Sequence, residues 1–103
     1  MTTTAYHTLS LLQQGLQPRL PQAVLVFVEG RPEDRRDTFI VTLKQVHPDS
    51  GEVFAVELPF LTQVWADLGL EVLTGELLRF IQAELAQGLP PALNNAYVRR
   101  PLR

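Results

Sequence analysis

The sequence predicts an α+β domain: a three-stranded antiparallel β-meander, four-stranded if one further short run joins it, with helices packed on one face. Three observations predict it. Two alternating runs flank a four-residue turn signal, a β-branched run precedes them, and two stretches of helical spacing follow. Sequential strands tend to pair as neighbours, which makes the sheet a meander.

Residues 4–14 come first. Ala5, Leu9, Leu12 and Leu16 fall at helical spacing, with Thr4 placed to cap the start and Gly15 to end it. His7, Leu9 and Leu11 also alternate as a strand would, and the helical reading is preferred. Pro18 and Pro21 then break the chain. Ala23 to Glu29 (AVLVFVE) is apolar on both faces, the pattern of an interior strand covered on both sides. Gly30 to Asp37 carries Gly, Pro and six charges and reads as an exposed loop.

Thr38–His47 and Glu52–Leu58 flank Pro48-Asp49-Ser50-Gly51, where Gly supplies the left-handed position that ends the turn. Setting His47 against Glu52 places Val46 opposite Val53, Gln45 opposite Phe54, Leu43 opposite Val56 and Val41 opposite Leu58. Val41, Leu43, Phe54, Val56 and Leu58 then share one face, with Thr42, Lys44 and Glu57 on the other. Turn chemistry and alternation agree on the hairpin.

Pro59 is expected to end the strand. Phe60, Leu61, Val64, Trp65 and Leu68 then mark a helix that stops at Gly69, and Leu70–Leu73 form a bridge or extra strand. Thr74 is placed to cap a helix running to Gln87, with Leu77, Leu78, Ile81 and Leu85 as its buried stripe and Gly88 beyond its end. Pro90 and Pro91 forbid continuation. The domain is thus expected over residues 1–93, and residues 94–103 form a basic, extended and partly flexible tail.

Composition narrows the function classes. The chain has no cysteine, so disulfides and thiolate chemistry are excluded, and a reducing, cytoplasmic setting is favoured. The start, MTTTAYHTLSLLQQG, has no basic n-region and is not expected to be a signal peptide. The longest apolar run, Ala23 to Val28, is far short of the roughly 20 residues that cross a bilayer, so no membrane insertion is expected. The abundance of Gln and Leu with a single lysine, Lys44, suggests a bacterial source.

Catalytic constellations are missing from the pattern. His7 and His47 stand 40 residues apart without metal-ligand spacing; His7 reads as a surface residue and His47 as a strand-end residue before the turn. Ser10 and Ser50, the only serines, lie in no nucleophile elbow, and no Gly-rich phosphate loop is present. No cofactor is expected, and the chain is read as not an enzyme. Trp65 shares its spacing with Leu61 and Leu68 and is read as core rather than as an exposed anchor.

Helix–strand–strand–strand–helix is also the order of the double-stranded-RNA-binding domain, but the likeness stops at the order. The last helix opens Thr74-Gly75-Glu76-Leu77-Leu78-Arg79, without the lysines that grip phosphate there. Residues 1–97 hold eleven acidic and six basic side chains, which disfavours a polyanion. The positive features are two basic segments: Arg31, Arg35 and Arg36 in the loop, and Tyr97, Arg99, Arg100 and Arg103 in the tail. They point to a protein-interaction module (an assembly factor, adaptor or regulatory subunit) whose protein partner the sequence does not identify. Homodimerisation through an exposed sheet edge is compatible with this reading. Two rivals are a pocket between sheet and helices, suggested by Lys44, Glu57, His47 and Asp49 along the hairpin, and weak nucleic-acid contact through the tail.

Overall fold

The computed structural model describes residues 2–65, 67–94 and 96–103, with side chains from Thr8 onward. The expectation for the His7 side chain lies outside the described residues. Helix α1 (Thr2–Leu16) and a short 3-10 turn lead into β1 (Val24–Gly30), β2 (Thr38–Val46) and β3 (Val53–Leu61). A one-turn α2 (Thr62–Trp65), a long α3 (Leu70–Gln87) and a two-residue β4 (Val98–Arg99) follow. The sheet order is β1-β2-β3-β4, antiparallel except for the parallel β3–β4 pair. Among the described residues no helix is long and apolar enough to cross a membrane.

The hairpin register is the one the turn and the alternation dictate, Val46 opposite Val53 through Val41 opposite Leu58. On the helix side, Val24, Val26 and Val28, Phe39, Val41 and Leu43, and Val56, Leu58 and Phe60 form one buried layer. Leu12 and Leu16 of α1 and Leu73, Leu77 and Ile81 of α3 close over it. These are the i, i+4 and i+8 positions that an amphipathic helix turns toward a core.

Four elements differ from expectation. β1 is an edge strand rather than an interior one: its residues alternate buried and exposed, and Leu25 and Phe27 face outward, on the side away from the helix-covered core. Both of its faces read as apolar because that outward side carries a Leu and a Phe.

Pro59 does not end β3. Its carbonyl accepts from the Arg103 amide and Leu61 donates to the Arg103 oxygen, so its missing N–H lies on the same outer side, away from β2, and costs the β2–β3 ladder nothing. Phe60 and Leu61 therefore belong to the strand, and α2 shrinks to one turn. Helix α3 begins four residues before Thr74, with Gly69 at its N-cap. Thr74 is buried within it and donates its hydroxyl back to the Leu70 carbonyl at 2.7 Å, satisfying itself inside the helix instead of capping it.

The fourth difference is the C-terminal segment. Ala55 donates to Pro90 and Ala92 to Val53, the chain reverses where Leu93 bridges Ala96, and Val98–Arg99 then pair with Val56–Glu57. Arg100 donates to the Glu57 carbonyl, and Arg103 closes the run at Pro59 and Leu61. Residues 90–103 thus cover the outer edge of β3.

The opposite edge is covered by side chains. Gln17 donates to the Val24 carbonyl (2.8 Å) and accepts from the Val26 amide (2.9 Å), while Gln13 accepts from the Val28 amide (2.8 Å). Four residues apart, the two glutamines stand where a neighbouring strand would. Gln17→Ala removes two of these bonds and is expected to lower unfolding free energy by about 1–2 kcal/mol. Urea unfolding checks this; an unchanged midpoint would mean the edge needs no such cover.

Candidate functional site

The loop between β1 and β2 and the C-terminal segment meet on the sheet face opposite the helices. Arg31 lies two residues beyond Glu29 and reaches back to it at 3.0 Å, and across β2 to Glu57 on β3 at 3.2 Å. The register puts Glu29, Ile40 and Pro59 in one cross-strand row, so the Arg31–Glu57 bridge spans the row that contains Ile40. Burial tends to lower the Arg31 pKa, but the hydrogen bond and charge of Glu57, followed by those of Glu29, outweigh it and raise the guanidinium above its ordinary value. Arg31 therefore stays cationic at every working pH. Thr38 donates its hydroxyl to the Arg31 carbonyl and ties down the base of the loop.

The tip is a two-residue turn closed by reciprocal main-chain bonds between Glu33 and Arg36, at 3.0 and 2.8 Å. Asp34 and Arg35, at its centre, have φ of 48° and 63°. Such tight turns need left-handed residues at both positions and usually take Asn-Gly. An Arg there holds backbone strain of about 1 kcal/mol or more.

The sequence-flagged residues separate into two groups. Arg99 pairs with Glu33, which joins the tail to the loop. Arg100 makes a forked pair with Glu84 of α3, with contacts of 2.9 to 3.2 Å. Arg103 places its guanidinium 4.6 Å from the centre of the Phe80 ring, one helical turn before Glu84. Tyr97 is half-buried. Arg31, Arg99, Arg100 and Arg103 are thus engaged within the chain. Arg35 and Arg36 are exposed, have no ion pair among the described residues, and line an open cleft of about 410 Å³ with Asp37, Leu61 and Gln63.

The four hairpin groups behind the pocket reading are not brought together. Lys44 and Glu57 lie on the face away from the helices. His47 turns into its own turn, where Nδ1 accepts from the Asp49 and Ser50 amides at 3.3 Å, the role expected of a strand-end residue. Beside it a shallow concavity of about 200 Å³ is lined by Gln45, Pro48, Phe54 and Leu89. Among the described residues no cluster of three or more His, Asp or Glu side chains is placed to hold a metal ion. Trp65 packs edge-on against Phe60 and Phe80, as a core-attached residue does.

Sequence reasoning placed Glu57 in a pocket rather than against Arg31, missed Glu84, which holds the tail, and missed the outward Leu25 and Phe27. The alternation within AVLVFVE could have signalled the last two; nothing local signals a carboxylate 16 residues from its arginine.

Comparison with family models, with curated proteins and with solved structures finds no match. The site's own geometry is therefore the ground for a functional reading.

Proposed function

We propose that this chain is a non-enzymatic protein-interaction module, an assembly factor, adaptor or regulatory subunit, that grips an acidic segment of a protein partner at the Arg35–Arg36 tip. One observation carries the reading. Of the six arginines that the sequence flags, three are held in ion pairs and Arg103 lies over the Phe80 ring; the two that have neither among the described residues, Arg35 and Arg36, stand side by side on a braced turn.

Guanidinium groups recognise carboxylates through paired, charge-assisted hydrogen bonds. Leu61 and Gln63 add apolar and amide contact beside them. The strained turn supports the reading, since non-glycine residues held in left-handed conformations cluster at sites that clamp ligands. Nucleic-acid contact through the tail is less well supported, because Arg99 and Arg100 are already paired with Glu33 and Glu84. A cytoplasmic location fits a chain without cysteine.

Arg35→Gly separates stability from binding. Glycine relieves the φ of 63°, so the variant is expected to gain about 1 kcal/mol in urea unfolding. Its affinity for a Glu/Asp-rich peptide should nonetheless fall, and fall further with Arg36→Ser. Titration of the wild type and both variants with that peptide at low and raised salt checks this. Wild-type binding that is absent, or equal in all three proteins, would overturn the reading.

A further inference from the structure

The sheet face away from the helices is divided in two. In the half spanned by the Arg31–Glu57 bridge and the loop, Ile40 is 0% exposed. In the other half Ala55 of β3 is also 0% exposed, but on β1 and β2 Leu25, Phe27 and Val46 are 45%, 44% and 45% exposed. The register makes them neighbours: Leu25 lies opposite Lys44, Phe27 opposite Thr42, and Val46 two residues beyond Lys44 on the same face. Three large apolar side chains in one uncovered strip form a patch of the kind that marks an association surface.

The charges around the strip are complementary to themselves. Lys44, inside it, has no ion pair among the described residues. At the other end of β1, Arg31 faces three carboxylates, Glu29, Glu33 and Glu57, and Arg99 pairs with Glu33, so the group of two arginines and three carboxylates carries one uncompensated negative charge. The Glu29 side chain is 65% exposed and available to a further cation.

We infer that the uncovered strip is a self-association surface, on which a second copy of this chain stacks face to face about a two-fold axis through the Phe27–Thr42 row. Such an axis lies between the sheets, across the strands. It sets Phe27 against its own counterpart and exchanges the Leu25–Lys44 row with the Glu29–Ile40 row. Lys44 of each copy then stands over the Glu29–Arg31–Glu57 group of the other, and the raised loop of one copy comes down on the bare half of its partner. A patch that complements itself under rotation is the condition for a closed dimer. Stacked sheets about 10 Å apart leave room for these side chains to meet.

Pairing through sheet edges, the route to homodimers that the sequence allows, is opposed by the glutamines on β1 and by residues 90–103 on β3. The inference rests on the strip and its flanking charges, not on peptide binding at Arg35–Arg36. The strip is small, so association falls at the weak end of the range for specific interfaces.

Sedimentation of the full chain from micromolar to millimolar concentration tests it. The wild type is expected to pass from monomer to dimer. Phe27→Glu should stay monomeric while keeping its circular dichroism spectrum, and Lys44→Glu should dimerise about tenfold more weakly. Val64→Glu, which makes the same kind of change at an exposed site on α2, should dimerise like the wild type. A wild type that is monomeric at millimolar concentration overturns the inference and leaves the strip to some other partner. A Phe27→Glu dimer as strong as wild type overturns it equally, by placing the contact elsewhere.

Discussion

Phe60→Ala is expected to lower the unfolding free energy by about 4 kcal/mol, the usual cost of deleting a fully buried aromatic ring. Phe60 has no exposed surface and is stacked on Phe39 with ring centres 5.3 Å apart. It also meets Trp65 and Phe80 edge-on at 5.3 and 5.5 Å. Its removal therefore takes three ring contacts as well as the buried area, and the pocket between β3 and α3 cannot collapse without moving both. For a domain of this size the midpoint of thermal unfolding should fall by roughly 15–25 °C. Phe27→Ala is the internal control: the same residue type on the uncovered face should cost less than about 1 kcal/mol, because much of that ring already faces water. Comparable losses at the two positions would contradict the assignment of core and open faces.

That contrast shows how far the chain can be read before it is seen folded. The hairpin was legible to the residue, because the turn needs glycine at Gly51 and alternation fixes which partner each side chain meets. The centre of the α3 stripe, Leu77 and Ile81, was legible for the same reason, a period of 3.6 in apolar residues. Leu78 and Leu85 are only partly buried, and the buried Leu73 falls in the run that reads as a bridge. Pro59 was misleading because proline breaks a strand only on the side where its N–H is needed. Whether that side faces β2 or an outer edge depends on where residues 98–103 dock, more than 35 positions away. Thr74 was misleading because a threonine hydroxyl satisfies a backbone group equally well at a cap or inside a helix. The candidate site was half legible. Its arginines stand out in the sequence, but which of them remain free is decided by Glu33, Glu57 and Glu84, and pairing across the fold leaves no local pattern. The outward exposure of Leu25 and Phe27 lay hidden in a run whose apolar residues all looked internal.

Arg100→Ala is expected to cost about 2–3 kcal/mol, somewhat below the loss typical of a fully buried ion pair because the guanidinium is partly solvated. The Glu84 side chain is 10% exposed and that of Arg100 is 30% exposed. Three contacts from one guanidinium satisfy both oxygens of the Glu84 carboxylate. Without the arginine, that charge is left in the space between α3 and the C-terminal segment with nothing to balance it. Replacing both partners, as Glu84→Gln with Arg100→Met, should recover most of the loss, since the larger part comes from the stranded charge and not from the absent bond. The single change should also loosen the segment itself, because Arg100 and Arg103 anchor it to successive turns of α3, at Glu84 and Phe80. Amide exchange reads this directly: the Leu61 and Arg103 amides, which bond between β3 and the segment, should exchange faster in Arg100→Ala than those of the β1–β2 ladder. Uniform acceleration across the sheet would mean that the segment unfolds only with the whole domain, and that the pair acts as a global brace instead of a local latch.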